Sequence, residues 1–156
     1  VARFDRTIPP GGEGKITLRI KTRGYEGDIR KKATVYTNDP RKNVEVLTIK
    51  AFVKVPIHLS PRYVYLRGTA DREITKTVRV RAGENKPLKL EPSHFSLSKQ
   101  VTYSIEEVEA GREFRIHFTS IPNIVGTYRG FLKLKTNYPE RPEISIRVKA
   151  RFEKAG

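Results

Sequence analysis

Residues 27–54 read GDIRKKATVYTNDPRKNVEVLTIKAFVK, and residues 126–153 read GTYRGFLKLKTNYPERPEISIRVKARFE. At an offset of 99, Gly27 falls on Gly126 and Arg30 on Arg129, and Thr37-Asn38-Asp39-Pro40 falls on Thr136-Asn137-Tyr138-Pro139. The apolar positions Leu47, Ile49, Ala51 and Val53 fall on Ile146, Val148, Ala150 and Phe152. Apolar and polar residues alternate with period two inside each copy, so each copy reads as a strand, a Pro-stopped turn and a second strand. A repeat at this spacing indicates two domains of one kind, about 100 residues each, and not a short solenoid unit.

Outward from the copies, the lengths are unequal. Some 70 residues, Pro56 to Val125, stand ahead of the second copy, and 26, Val1 to Glu26, ahead of the first. The expected organisation is therefore residues 1–55 as the C-terminal part of one domain, truncated at its N-terminus, and 56–156 as a complete one. A half-domain of this kind exposes an apolar face and an unpaired edge. Residues 1–55 are accordingly expected to be the less stable part, or to take a strand from another copy.

In chain order, Val1–Ile8 reads as one short strand, and Pro9-Pro10-Gly11-Gly12 as a turn. Ile16, Leu18 and Ile20 alternate with Lys15, Thr17, Arg19 and Lys21, as in a half-buried antiparallel strand. Arg23–Asp28 is a Gly-containing turn. Pro56 marks the domain boundary, and Ile57–Arg67 opens the next unit. Ile74, Val78 and Val80 then point inward. Gly83-Glu84-Asn85 turns the chain into a short strand Leu88-Lys89-Leu90, after which Phe95 and Leu97 plug the core from an irregular segment. Val101–Val108, Glu113–Thr119, Tyr128–Thr136 and Glu143–Phe152 complete seven strands. Seven short strands in about 100 residues, with turn signals between them and no helical periodicity, indicate an all-β chain of tandem immunoglobulin-like β-sandwiches. A small closed barrel is the alternative.

Three stretches together resemble a bacterial immunoglobulin-like domain family of unknown function. They are Ile8-Pro9-Pro10-Gly11-Gly12-Glu13-Gly14-Lys15-Ile16, then Gly27 leading into Thr37-Asn38-Asp39-Pro40, then Lys86-Pro87-Leu88-Lys89-Leu90. That family is related to the ASH (Hydin-type) domains and, more distantly, to the major-sperm-protein and PapD-like pilus-chaperone sandwiches. The second domain departs from the pattern: Glu109-Ala110-Gly111-Arg112 replaces the Pro-Pro-Gly-Gly turn, and Tyr138 replaces Asp39. These changes are expected to alter turn chemistry more than fold. The resemblance implies tandem, exported or surface-associated modules (periplasmic, secreted or at the cell surface) that act as scaffolds or adhesion elements. It brings no catalytic residues.

The chain contains no cysteine, which excludes disulfides, thiolate metal sites and a cysteine nucleophile. No apolar run is long enough to span a membrane as a helix. His58, His94 and His117 have no metal-ligand spacing, and His117 alternates with inward Ile116 and Phe118, so it is expected to face solvent. Neither a nucleophile elbow nor a phosphate-binding Gly-Lys-Ser/Thr loop occurs. Asn38-Asp39 is read as turn-shaping and not as a calcium ligand pair. The expectation is a non-enzyme without metal, cofactor or small-molecule substrate, whose partners are proteins or neighbouring immunoglobulin-like domains.

The formal net charge of +15 is spread over the chain: 13 Lys/Arg against 6 Asp/Glu in residues 1–55, and 19 against 11 in 56–156. Such a field favours polyanions, though solubility alone also accounts for it. If Leu132, Leu134, Ile146, Val148 and Ala150 face inward, Lys133, Lys135, Arg147, Lys149 and Arg151 share the outer face of the last hairpin. Like charges opposite one another cost tenths of a kcal/mol to about 1 kcal/mol each, and the first copy has Thr34, Tyr36, Thr48, Lys50 and Phe52 at those places. These five cations are candidates for a polyanion or partner surface, nucleic acid or acidic glycan included. Arg79, Arg81 and Arg115 make the other sheet basic too. Phe131 and Tyr128 lie near the hairpin face but do not by themselves make a stacking platform.

Overall fold

A computed structural model describes residues 2–156. It contains twelve strands: β1 (Ala2–Phe4), β2 (Ile16–Leu18), β3 (Gly27–Tyr36), β4 (Val44–Val53), β5 (Ile57–Ser60), β6 (Tyr63–Thr69), β7 (Thr75–Ala82), β8 (Leu90–Phe95), β9 (Val101–Glu109), β10 (Glu113–Ser120), β11 (Gly126–Thr136) and β12 (Glu143–Glu153). The chain divides into two compact units, residues 1–54 and 55–156.

The second unit is a sandwich of two four-stranded sheets, ordered β5-β7-β10-β9 and β6-β12-β11-β8. Named A, A′, B, C, D, E, F and G in chain order from β5, the strands give the sheets A-B-E-D and A′-G-F-C. That arrangement is the constant-type immunoglobulin topology, with the first strand divided between the sheets. The division explains why the unit has eight strands where seven are expected. Residues 57–67 do not run as one element: β5 pairs antiparallel with β7, and after Ser60-Pro61 the chain crosses to pair β6 in parallel with β12.

Period-two patterning fills the space between the sheets. On β12, Ile144, Ile146, Val148, Ala150 and Phe152 are buried, and every residue between them is exposed. Leu132 and Leu134 from β11, Val78 and Val80 from β7, and Ile116 and Phe118 from β10 meet them in one core. Each of the larger ones, from valine to phenylalanine, contributes about 1.5–3 kcal/mol by leaving water.

The structure corrects the reading of residues 88–97. The strand there is Leu90–Phe95, not 88–90. Leu88 is a core residue outside any strand, fixed by its amide donating to the Gly111 carbonyl (2.8 Å). Leu97 does enter the core from an irregular stretch, and it lies over Gly130. A Cβ on Gly130 would stand 2.6 Å from Leu97 Cγ and 2.3 Å from Ser96 Oγ, so only glycine fits.

The first unit consists of two two-stranded sheets, β1-β2 and β3-β4. The strand expected over Val1–Ile8 forms only at Ala2–Phe4, and Val1 lies outside the described residues. Gly12 closes the predicted Pro9–Gly12 turn by donating its amide to the Pro9 carbonyl (2.9 Å). β3 and β4 pair from Gly27↔Val53 to Tyr36↔Val44, and β11 and β12 from Gly126↔Phe152 to Lys135↔Glu143. Every pair of the first hairpin recurs 99 residues on. Both hairpins begin on a glycine with positive φ, 74° at Gly27 and 135° at Gly126, where a side chain would be strained.

The threonine bonds that frame the two turns match. The Thr37 hydroxyl donates to the Lys42 carbonyl (2.7 Å) and accepts from the Asp39 amide (3.2 Å). Thr136 does the same with the Arg141 carbonyl (2.6 Å) and the Tyr138 amide (3.1 Å).

Candidate interaction surfaces

The outer face of β6-β12-β11-β8 carries the cations that the sequence singles out. Lys135, Arg147, Lys149 and Arg151 are exposed and Lys133 is partly so. The register sets them among aromatic rings. Arg147 lies between Tyr63 on β6 and Phe131 on β11, and Lys149 between Tyr65 on β6 and Arg129 on β11. The Lys149 ammonium sits 5.1 Å from the Tyr65 ring centroid, and that of Lys133 lies 5.7 Å from Phe131. His94, on β8, packs its ring against Phe131 with centroids 5.6 Å apart. Tyr63, Arg129, Arg147 and Lys149 border a shallow depression, with Gly130 and Val148 between them.

Tyr63, Tyr65, Arg129 and His94 are members of this face that the sequence reading leaves out. For Tyr63 and Tyr65 the reason is physical: β6 joins the hairpin through a parallel pairing some 80 residues distant in sequence, which no local pattern signals, whereas Arg129 extends the period-two row of Phe131, Lys133 and Lys135 on β11 and is legible from it. Tyr128, placed near this face from sequence, turns the other way. It packs partly buried against the core and donates its hydroxyl to the Val125 carbonyl (2.8 Å).

The face carries carboxylates only at its margins. Lys133 pairs with Glu143 (3.2 Å) and Arg151 with Glu153 (3.1 Å).

The opposite sheet differs. Arg79, Arg81 and Arg115 are exposed there, but acidic groups are interleaved with them. Arg79 Nε is 3.4 Å from Glu113 Oε1, and Arg115 stands in register with both Arg79 and Glu106. His117 lies on this outer face, partly covered, with Nδ1 2.9 Å from Thr77 Oγ1 and Nε2 3.2 Å from Glu106 Oε2. Among the described residues no group of three or more His, Cys, Asp or Glu is placed to hold a metal. No helix among them is long and apolar enough to cross a membrane.

In the first unit the same hairpin face has the reverse chemistry. Tyr36, Phe52, Val46 and Val44 are 79%, 64%, 52% and 47% exposed. They stand where the second hairpin has Lys135, Arg151, Ser145 and Glu143. Asp39, near the tip, shapes the turn: its Oδ1 accepts the Arg41 amide (2.8 Å).

Its counterpart Tyr138 overturns the expectation of a mere change in turn chemistry. Tyr138 is among the largest fully buried side chains, and its hydroxyl donates to the Lys86 carbonyl. Burial raises its phenol pKa above the ordinary 10.0. Asn137 beside it donates to the Pro87 carbonyl (2.9 Å) and accepts from the Lys89 amide (2.8 Å). The 136–142 turn thus locks down the β7–β8 connection.

Strand order and register define the class of protein: an all-β chain whose second unit is an immunoglobulin-like sandwich. No protein-family model and no curated protein matches the sequence. Among solved structures, the ASH/PapD-like domain 7 of human CEP192 is similar at 10% identity and a TM-score of 0.48, over 69% of this chain and 94% of that one. Domains 4 and 5 of the S-layer protein SbsC are similar at 14% identity and a TM-score of 0.40, over 90% of this chain and 82% of that one. Both likenesses are distant, and the fold assignment rests on the strand order itself.

Proposed function

We propose that the chain is a non-enzymatic structural or protein-interaction module, part of a larger exported bacterial protein built from tandem immunoglobulin-like domains. Its contacts are made by sheet faces and not by a pocket. The observation that carries this reading is the apolar row on the outer face of β3–β4. Tyr36 and Val44 are direct cross-strand neighbours, and Val46 lies next to them on β4. Phe52 stands apart from these three on the same face, beyond Thr48 and Lys50. Contiguous exposed apolar surface of this kind marks a protein contact. The sister hairpin carries charged or polar groups at all four places, so the fold does not require the row. The partner that suits it is a second β-sandwich face of like chemistry, as in a chain of adjoining domains. Placement outside the cytoplasm rests on the resemblance of Ile8–Ile16 and Thr37–Pro40 to exported tandem modules.

Sedimentation velocity over micromolar to near-millimolar concentration tests the reading. The chain should self-associate weakly, and a Tyr36→Ser, Val46→Thr, Phe52→Ser variant should stay monomeric with the unfolding of residues 55–156 unchanged. A chain that is monomeric throughout, or a variant that associates equally well, would refute it.

A further inference from the structure

The outer face of β6-β12-β11-β8 interleaves exposed rings with cations, a composition that the fold itself does not require. We propose that it is a binding surface for single-stranded nucleic acid, with phosphates on Arg129, Arg147 and Lys149 and bases on Tyr63, Tyr65 and Phe131.

Three observations lead there. The first is uncompensated charge. Among the described residues no carboxylate is paired with Arg129, Arg147 or Lys149, whereas Lys133 and Arg151 at the margins have Glu143 and Glu153. Arg129 and Lys149 face each other directly across the ladder, an arrangement that costs stability unless an anion relieves it.

The second is the interleaving of rings with cations. Across the sheet the order is Tyr63–Arg147–Phe131 in one line and Tyr65–Lys149–Arg129 in the next. Tyr63 is 65% exposed and adds little to the core, so packing does not account for it. Base faces stack on such rings regardless of sequence, while a cationic surface holds the backbone.

The third is contrast within the molecule. The opposite sheet carries three outward arginines, Arg79, Arg81 and Arg115, but they are interleaved with Glu106 and Glu113, and among the described residues it has no comparable ring cluster on that face.

A duplex would present phosphates to the cations but keep its bases stacked inside, leaving the rings idle. A sulfated glycan offers charge without planar bases. Single strands use both halves of the surface.

The test is fluorescence anisotropy of the full 156-residue chain with labelled oligo-uridylate and oligo-thymidylate, at low and moderate salt. A mixed-sequence duplex and a heparin oligosaccharide serve as competitors. Three phosphate contacts on a single strand predict a log–log salt slope of about −2. Tyr63→Ala should weaken binding about tenfold or more. Arg147→Ser should weaken it and flatten the slope by about 0.7. Arg79→Ser on the other sheet should change affinity less than twofold. Thermal unfolding of each variant checks the fold; Tyr63 and Arg147 are exposed, and their removal should leave it intact.

Any of four results would overturn the proposal: no salt-dependent binding to either oligonucleotide, equal or better binding of the duplex or heparin, indifference to Tyr63→Ala, or an equal loss in Arg79→Ser. Preference for one oligonucleotide over the other would assign the surface to RNA or to DNA.

Discussion

Near the tip of the β3–β4 hairpin stands Asp39, exposed to water; at the same point of β11–β12 stands Tyr138, wholly buried. The backbone between them is the same. Threonine hydroxyl, carbonyl and amide bond identically in both turns, and the ladders share their register pair for pair. The two hairpins differ in what lies over them. In the second unit the β7–β8 connection packs on the turn, and Ser96 and Leu97 pack on Gly130. The first unit has no counterpart of these segments among the described residues. The residue equivalent to Gly130 is Lys31, whose ammonium lies 4.7 Å from the Tyr25 ring centroid and donates to its hydroxyl (2.9 Å). Local sequence fixes the hydrogen-bonded frame of such a hairpin. Neighbours distant in sequence decide whether a given position must be large, absent or charged.

The strongest way to break this comparison is to exchange the turn residues. Tyr138→Asp should cost the second unit at least the about 3–5 kcal/mol expected for emptying a buried aromatic site. Asp39→Tyr should stay within about 0.5 kcal/mol, as ordinary surface changes do. Chemical unfolding followed separately for the two units would tell, and equal effects at both sites would refute the account.

Next in size is the difference in protection. A two-stranded sheet is marginal by itself, whereas β11 and β12 are flanked by further strands over a filled core. Backbone amides of β11–β12 should therefore exchange more than about a hundredfold more slowly than those of β3–β4. Equal protection in a monomer would mean that the first unit is completed in some way its described strands do not reveal.

The smallest effect concerns pH. Burial raises the Tyr138 phenol pKa in the folded state, so the neutral form is the one that folding favours. Its contribution is fully present below about pH 10, the ordinary phenol value, and is lost as the pH rises beyond it. Tyr138→Phe should remove that alkaline dependence. It should also cost about 1 kcal/mol at neutral pH, because the Lys86 carbonyl loses its donor. An alkaline unfolding limb that is the same in both proteins would show that other groups govern it.

What could be read in advance follows from the same division. Period two, the Thr-Asn turns and the offset of 99 identify the strands and the cation-bearing face, because each is a local signal. Residues 90–95 carry no strand signal because Glu91-Pro92-Ser93-His94 is polar and contains proline. Such a run fails as a central strand but is tolerated at β8, which is an edge and carries a bulge opposite Lys133/Leu134. Tyr138 looked like a turn residue because the segment it reaches lies 52 positions earlier. The aromatic half of the basic face was invisible for a similar reason: Tyr63 and Tyr65 arrive through the parallel pairing of β6 with β12.

That parallel pairing also bears on how the second unit would carry tension. The chain comes in through β5 and β6 and leaves through β12, and seven register pairs from Arg147↔Tyr63 to Glu153↔Thr69 join the last two. Pulling the ends of residues 55–156 apart drags β6 and β12 lengthwise past each other, so these pairs are strained together and not one after another. An antiparallel hairpin gripped at its open end would instead unzip a pair at a time. The second sandwich should therefore resist stretching along the chain better than a hairpin gripped at its open end.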